Sequence, residues 1–297
     1  MTSAANTILL TGARGQLGRE LAAALRDVGD VVACDHAMLD LADPDRIVDV
    51  VRAVAPRTIV NAGAYTAVDR AEQERDAAFA INGRAPGILA AEARRANAIF
   101  VHYSTDYVFD GEATTPYDEA SSPRPVNVYG ASKLEGERAI AASGAAAITL
   151  RTSWIYARHG QNFFTTMQKL AASRSEVRVV ADQIGVPNWA RALARATARL
   201  IRDAGPGLAE RAGLYHLSAA GSTTWYAFAS ALLQGQRVRV TPIATSDYPT
   251  AARRPAYGVL DASHFARTFG FAIPDWQTLL HECMQSDAEP RGSSPVH

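Results

Sequence analysis

Five short, almost wholly apolar runs, at positions 7–10, 31–34, 58–61, 98–103 and 147–151, punctuate the first half of this 297-residue chain. A strand that carries apolar side chains on both faces must be covered on both faces, and helices crossing between parallel strands provide that cover. The Ala-rich segments between the runs supply the helices. Leu17, Leu21, Leu25 and Val28 recur every three or four residues and give the first of them one buried stripe. The stretch 69–96 is interrupted at Asn82-Gly83 and again at Pro86. It reads as two helices, the second opening near the proline, where a missing amide donor costs nothing. The expected fold class is therefore α/β, a doubly wound parallel sheet of the Rossmann type with a smaller C-terminal substrate lobe.

The lobe is inferred from a change of texture after about Trp154, where loops, prolines and aromatics surround shorter elements. Residues 1–153 read as the dinucleotide-binding domain and 154–286 mainly as the substrate lobe. Helices are expected at 188–204 and 224–234 and a strand at 213–218, with segments near 188–218 returning to the first domain. The polar tail 287–297, with two prolines and a Gly-Ser-Ser run, is expected to be disordered.

Composition removes several partners. Thirty basic and thirty acidic side chains cancel to a formal charge of zero. No clustered positive field is left to concentrate nucleic acid or an anionic membrane. The first ten residues hold no basic residue, and Ile8-Leu9-Leu10 is too short for a signal core or a membrane span. A cytoplasmic location and a small-molecule partner are the expectation. Cys34 and Cys283 lie far apart without metal-ligand spacing and read as small buried hydrophobes.

The first apolar run leads straight into Gly12, Gly15 and Gly18, and the amphipathic helix follows at once. Gly12 permits a tight turn, Gly15 lets backbone approach a pyrophosphate, and Gly18 lets the helix pack close to its strand. Arg14, Gln16 and Leu17 complete the loop, whose amides and helix dipole suit phosphate. Asp35, 17 residues beyond Gly18 at the end of the second run, can accept from an adenosine ribose or cap a turn. Arg14 can instead pair with a 2′-phosphate or stand as a solvated charge. The cofactor is thus NADPH or NADH, with the choice open. Asp40 and Leu41, and Ala62, Gly63 and Ala64, follow strand ends where doubly wound sheets bind ligands.

Tyr129 and Lys133 stand four residues apart, hence on one helix face. A lysine charge about 4 Å from the phenol would contribute on the order of 4 kcal/mol at an effective dielectric of about 20, drawing the tyrosine down toward useful general acidity. Thr105 closes the fourth run and can donate to a substrate oxygen as charge develops there, or cap a turn. Glycine loop, threonine, tyrosine and lysine appear in successive strand-helix units.

These residues together resemble the extended short-chain dehydrogenases/reductases and, among them, the dTDP-4-dehydrorhamnose reductase family. The likeness extends through Asn61-Ala62-Gly63-Ala64-Tyr65-Thr66-Ala67-Val68-Asp69, Tyr103-Ser104-Thr105-Asp106-Tyr107-Val108-Phe109, Arg151-Thr152-Ser153-Trp154-Ile155-Tyr156 and Arg253-Arg254-Pro255. It implies NAD(P)H-dependent reduction of the C4 ketone of a dTDP-linked 4-keto sugar, with Thr105, Tyr129 and Lys133 as the catalytic group. It also implies that Tyr129 and Lys133 meet the cofactor and that Val68, Thr105, Asp106 and Trp154 touch the sugar nucleotide. Trp154 reads equally as a lobe-packing aromatic, and Arg254 as a diphosphate contact or an interlobe ion pair. The family adds a possible Mg2+ and a possible homodimer, but no metal ligands can be matched in this chain. Gly63 stands where alanine is expected, which should enlarge the space near the cofactor. Two other readings share the fold: a non-catalytic nucleotide-binding regulatory subunit, and a reductase giving the C4 epimer, a 6-deoxytalose.

Overall fold

In the computed structural model, which describes residues 6–286 apart from the Pro206 side chain, the five apolar runs become strands. These are β1 (Thr7–Thr11), β2 (Asp30–Cys34), β3 (Thr58–Asn61), β4 (Ile99–Thr105) and β5 (Ala147–Thr152). The strand Gly213–His216 pairs with β5 at one edge of the main sheet. The spatial order is Gly213–His216, β5, β4, β3, β1, β2, all parallel. The chain steps from β1 to β2 on one side and then to β3 on the other. That reversal opens a crevice at the carboxyl ends of β1 and β3.

The helices of this half are α1 (Gln16–Ala24), α2 (Pro44–Val54), α3 (Val68–Ala71), α4 (Arg75–Phe79), α5 (Ala85–Arg95) and α6 (Val128–Ser143). Alternate residues of β1 serve opposite faces of the sheet, as the two-residue period of a strand requires. Ile8 and Leu10 join Leu17 and Leu21 of α1 and Leu193 and Leu200 of the helix Ala190–Ala204. Leu9 joins Ile47 and Val51 of α2 and Leu89 and Ala93 of α5. Both layers are closed by helices, which accounts for the nearly continuous apolar runs.

The expected break at Asn82-Gly83 is corrected by the structure. The chain is helical from Arg75 to Arg95, with Ala80–Arg84 wound as a π-helical turn, and the interruption falls earlier, between α3 and α4. Wider winding accommodates the missing amide hydrogen of Pro86. Asn82 points inward, accepting from the Tyr65 amide and donating to the Tyr65 carbonyl and Ser132 Oγ. Gly83 and Gly136 let this helix approach α6, since a Cβ on Gly136 would lie 2.2 Å from the Asn82 carbonyl oxygen. Residues that read as breakers are contact residues.

Beyond β5, strands Glu176–Val180 and Arg239–Ile243 form a separate parallel pair. The helices Phe163–Ser173 and Trp225–Leu232 pack on it. Cys34 and Cys283 are free and buried. Among the described residues no helix is long and apolar enough to cross a membrane. The tail read as disordered, 287–297, lies outside the described residues.

Candidate active site

Gly12 leaves β1 at φ +66°, a conformation that disfavours a side chain, and the Ala13 amide donates to the Cys34 carbonyl at 3.1 Å. A Cβ on Gly12 would come within 2.6 Å of the Gly63 backbone, and one on Gly18 within 2.1 Å of the Gly12 carbonyl oxygen. Gly15 is the N-cap of α1 and has no side chain to satisfy the first-turn amides, which are left for a ligand. This is a backbone cradle that fits a pyrophosphate.

Gly12, Arg14, Gly15, Gln16 and Leu17 border one cleft of about 580 Å³. Asp35, Asp40, Leu41, Ala62, Gly63 and Ala64 border it too, and Tyr129 and Lys133 close its inner end. Gly18 supports the loop from behind. The two conflicting charge cues are resolved by mutual pairing: Arg14 Nε meets Asp35 Oδ2 at 2.8 Å, with the Arg14 side chain 82% exposed. The other oxygen of Asp35 accepts from the Ala37 and Met38 amides, so its turn-capping role is real. Asp40 likewise accepts from the Ala42 amide at 2.8 Å. The room expected from Gly63 is not left open, because Leu41 Cδ1 lies where an alanine methyl would stand.

Thr105 is the last residue of β4 and is buried. Its hydroxyl accepts from the Tyr107 amide at 3.2 Å and donates to Asp106 Oδ1 at 3.0 Å. The turn-cap reading of Thr105 thus holds. Asp106 is 3% exposed, and burial raises its carboxyl to about 7 against the lowering effect of Thr105. The Tyr107 and Tyr129 rings meet edge to face at 5.5 Å.

The expected tuning of Tyr129 by Lys133 is not what the structure shows. Burial pushes the phenol up to about 12, opposed by Thr105 and assisted by the Asp106 charge. Lys133 Nζ is turned instead toward the Tyr103 carbonyl, at 2.6 Å, and His102 Nε2, at 3.2 Å. Helical spacing puts the two residues on one face but does not decide where a flexible amine is held. Burial brings Lys133 itself down to about 8.

A second and larger cleft, about 1040 Å³, lies on the other side of the tyrosine pair, Tyr107 bordering it and Tyr129 the first. Its walls come from both halves of the chain, Asp69 and Tyr107 facing Phe163, Trp225, Tyr248 and Arg254. Arg254 makes the interlobe ion pair that the sequence allowed, Nη2 to Asp69 Oδ2 at 2.8 Å, and remains on the cleft wall. Trp154 stacks on Trp225, centroids 3.6 Å apart at 11°, and presses on Gly185. It does so at φ +40°, a strained backbone for so large a residue. Packing against the lobe is therefore one true role of Trp154. Val68 is half-buried at the start of α3. Trp225 and Phe163 carried no recognisable signal in the sequence, since only the fold brings them to Trp154. Among the described residues no three or more His, Cys, Asp or Glu side chains gather to hold a metal ion.

Residues 6–288 match the family described as the RmlD substrate binding domain. A dTDP-4-dehydrorhamnose reductase of Burkholderia thailandensis is 45% identical over 294 residues, covering 94% of this chain and 98% of its own. One from Escherichia coli K12 is 42% identical, covering 91% and 94%. The crystal structure of dTDP-4-dehydrorhamnose reductase from Bacillus anthracis in complex with NADP superposes with a TM-score of 0.88 at 36% identity, covering 94% of this chain and 98% of that one. By this family match and these relatives, the chain belongs to the RmlD substrate binding domain family, that of the dTDP-4-dehydrorhamnose reductases.

Proposed function

We propose that the protein reduces the C4 ketone of dTDP-4-dehydro-L-rhamnose to give dTDP-L-rhamnose, using a nicotinamide dinucleotide. The observation that carries this reading is the placing of a glycine-cradled cleft and an arginine-edged cleft on either side of the Tyr107–Tyr129 contact. The dinucleotide, when bound, supplies the hydride. Gly12, Gly15, the first-turn amides of α1 and the loop Ala62, Gly63 and Ala64 hold it, with Lys133 at the inner end. Arg14 is exposed and can turn from Asp35 to a 2′-phosphate, which favours NADPH, while Asp35 leaves NADH acceptable. We read the segment beyond residue 153 as the main source of the sugar-nucleotide wall.

Tyr129 is the general acid. Burial keeps its phenol protonated at neutral pH, and an alkoxide forming at C4 is a stronger base than a phenolate, so the proton moves downhill without a depressed tyrosine. Thr105 draws the Tyr129 phenol down against burial, and its hydroxyl, which donates to Asp106 Oδ1, can turn to the reacting oxygen as charge develops there. Arg254, drawn from Asp69, offers a fork to the diphosphate, and the Trp154–Trp225 stack supplies a flat apolar wall for the sugar or base.

The test follows oxidation of NADPH and of NADH with dTDP-4-dehydro-L-rhamnose, assigning the C4 configuration of the product by NMR. Turnover to the rhamno product is expected. Tyr129→Phe should lower kcat by about 10³-fold while dinucleotide affinity stays within about threefold. Binding of both dinucleotides without any turnover would leave a regulatory nucleotide-binding role, and a talo product would reassign the stereochemistry.

A further inference from the structure

A buried line of polar side chains crosses the sheet beneath the cofactor cleft. It runs from Thr11 at the end of β1, through Asn61 at the end of β3 and His102 in β4, to Lys133 in α6, and none of the four is more than 2% exposed. Thr11 Oγ1 lies 2.6 Å from Asn61 Oδ1, Asn61 Nδ2 lies 3.0 Å from His102 Nδ1, and His102 Nε2 lies 3.2 Å from Lys133 Nζ. The proposed reaction gives no role to the first three.

The direction of these bonds can be assigned. The Gly63 amide donates to Asn61 Oδ1 at 3.2 Å and Thr11 donates to the same atom, so that atom is the oxygen. The amide's other end donates to His102 Nδ1, which therefore carries no proton. Burial and the adjacent Lys133 hold His102 well below its ordinary range, so the ring is neutral and its one N–H sits on Nε2. That N–H points at Nζ. An ammonium has three donors and no acceptor, so the Nε2–H···Nζ bond forms only with a free amine.

We infer that His102 is a positioning residue whose Nε2–H favours the free-amine form of Lys133 at the Tyr103 carbonyl, so that in alkaline solution binding of a nicotinamide dinucleotide is coupled to uptake of one proton at Nζ. The proton comes from solvent, the Nζ lone pair accepts it, and the bond from His102 is given up with the His102 tautomer unchanged. The resulting charge faces a polyanionic ligand. The surroundings agree. Lys133 is lowered to about 8, mainly by burial. Glu137, one turn on along α6, opposes this lowering but is clamped by Arg151 of β5 at 2.6 Å and by Ser104 of β4. Tyr129, one turn back, is a neutral phenol, and Asp106 after β4 acts on Tyr129. Asp35, Asp40 and His36 border the far part of the cleft.

The inference rests on the site binding a dinucleotide, and its test separates the two. Calorimetry of NADH and NADPH binding in buffers of different ionisation enthalpy should show uptake of about 0.9 proton at pH 9 and about 0.1 at pH 7. His102→Gln, whose amide can still donate to Nζ, should keep this profile. In His102→Leu, checked for an intact fold by thermal melting, uptake at pH 9 should fall to about half as the lysine titrates about one unit higher. NMR of 15N-histidine should report the Nε2–H tautomer of His102 without any variant or ligand. Dinucleotide binding with no proton uptake at pH 9, a His102→Leu profile equal to the wild type, or an Nδ1–H tautomer would each overturn the inference. Failure of both dinucleotides to bind would instead overturn the functional reading on which it stands.

Discussion

The cleft around Gly12 and the cleft around Arg254 flank one pair of tyrosine rings but are assembled from different materials. The first is mostly backbone: a left-handed glycine, a helix start with no capping side chain, and strand ends close enough that a methyl group would collide. Its residues come from short local motifs. The second is a wall of side chains, with Asp69 and Arg254 paired across 185 residues of sequence and Trp154 stacked on Trp225. Backbone recognition tolerates almost no change at a few positions, whereas side-chain recognition spreads its energy over several groups and yields gradually.

That contrast can be broken by substitution. The largest effect is expected at Gly18→Ala, whose methyl would press on the Gly12 carbonyl and push the loop out of register. Dinucleotide affinity should fall by about a hundredfold or more and thermal stability by about 1–3 kcal/mol, while binding of dTDP alone stays close to wild type. Equal losses for both ligands would mean that the clefts are one unit. Next, Arg254→Ala should raise KM for the sugar nucleotide by about thirtyfold, the worth of one charge-assisted fork, and leave dinucleotide affinity within about twofold. A main effect on kcat would assign Arg254 to the chemistry instead. The smallest effect sharpens the picture inside the first cleft, where, among the described residues, Arg14 is the one exposed arginine on the wall. Arg14→Ala should weaken NADPH about fivefold, as an exposed pair permits, and leave NADH within about twofold. Parallel losses would show that Arg14 reads the pyrophosphate and not the 2′-phosphate.

Much of this was legible in the sequence, for reasons of range. The glycine triplet, the apolar strands, and Tyr129 with Lys133 on one helix face are patterns completed within a few residues, where chain geometry alone fixes neighbours. Asn82 and Gly83 misled because propensity marks them as breakers, while packing against Tyr65, Ser132 and α6 overrides propensity. Trp225, Phe163 and His102 were silent because their meaning depends on partners from distant segments. Even for Lys133, the spacing set the face of the helix and burial decided where the amine went.

By itself, then, the sequence determined the wound sheet, the glycine turn and the placing of Tyr129 and Lys133 on one helix face, because each follows from local periodicity and steric necessity. Tertiary structure decided the protonation of Tyr129 and Lys133, the pairing of Arg14 with Asp35 and of Arg254 with Asp69, and the aromatic wall of the second cleft. Those properties depend on desolvation and on distances between remote residues, and both exist only once the chain has closed on itself.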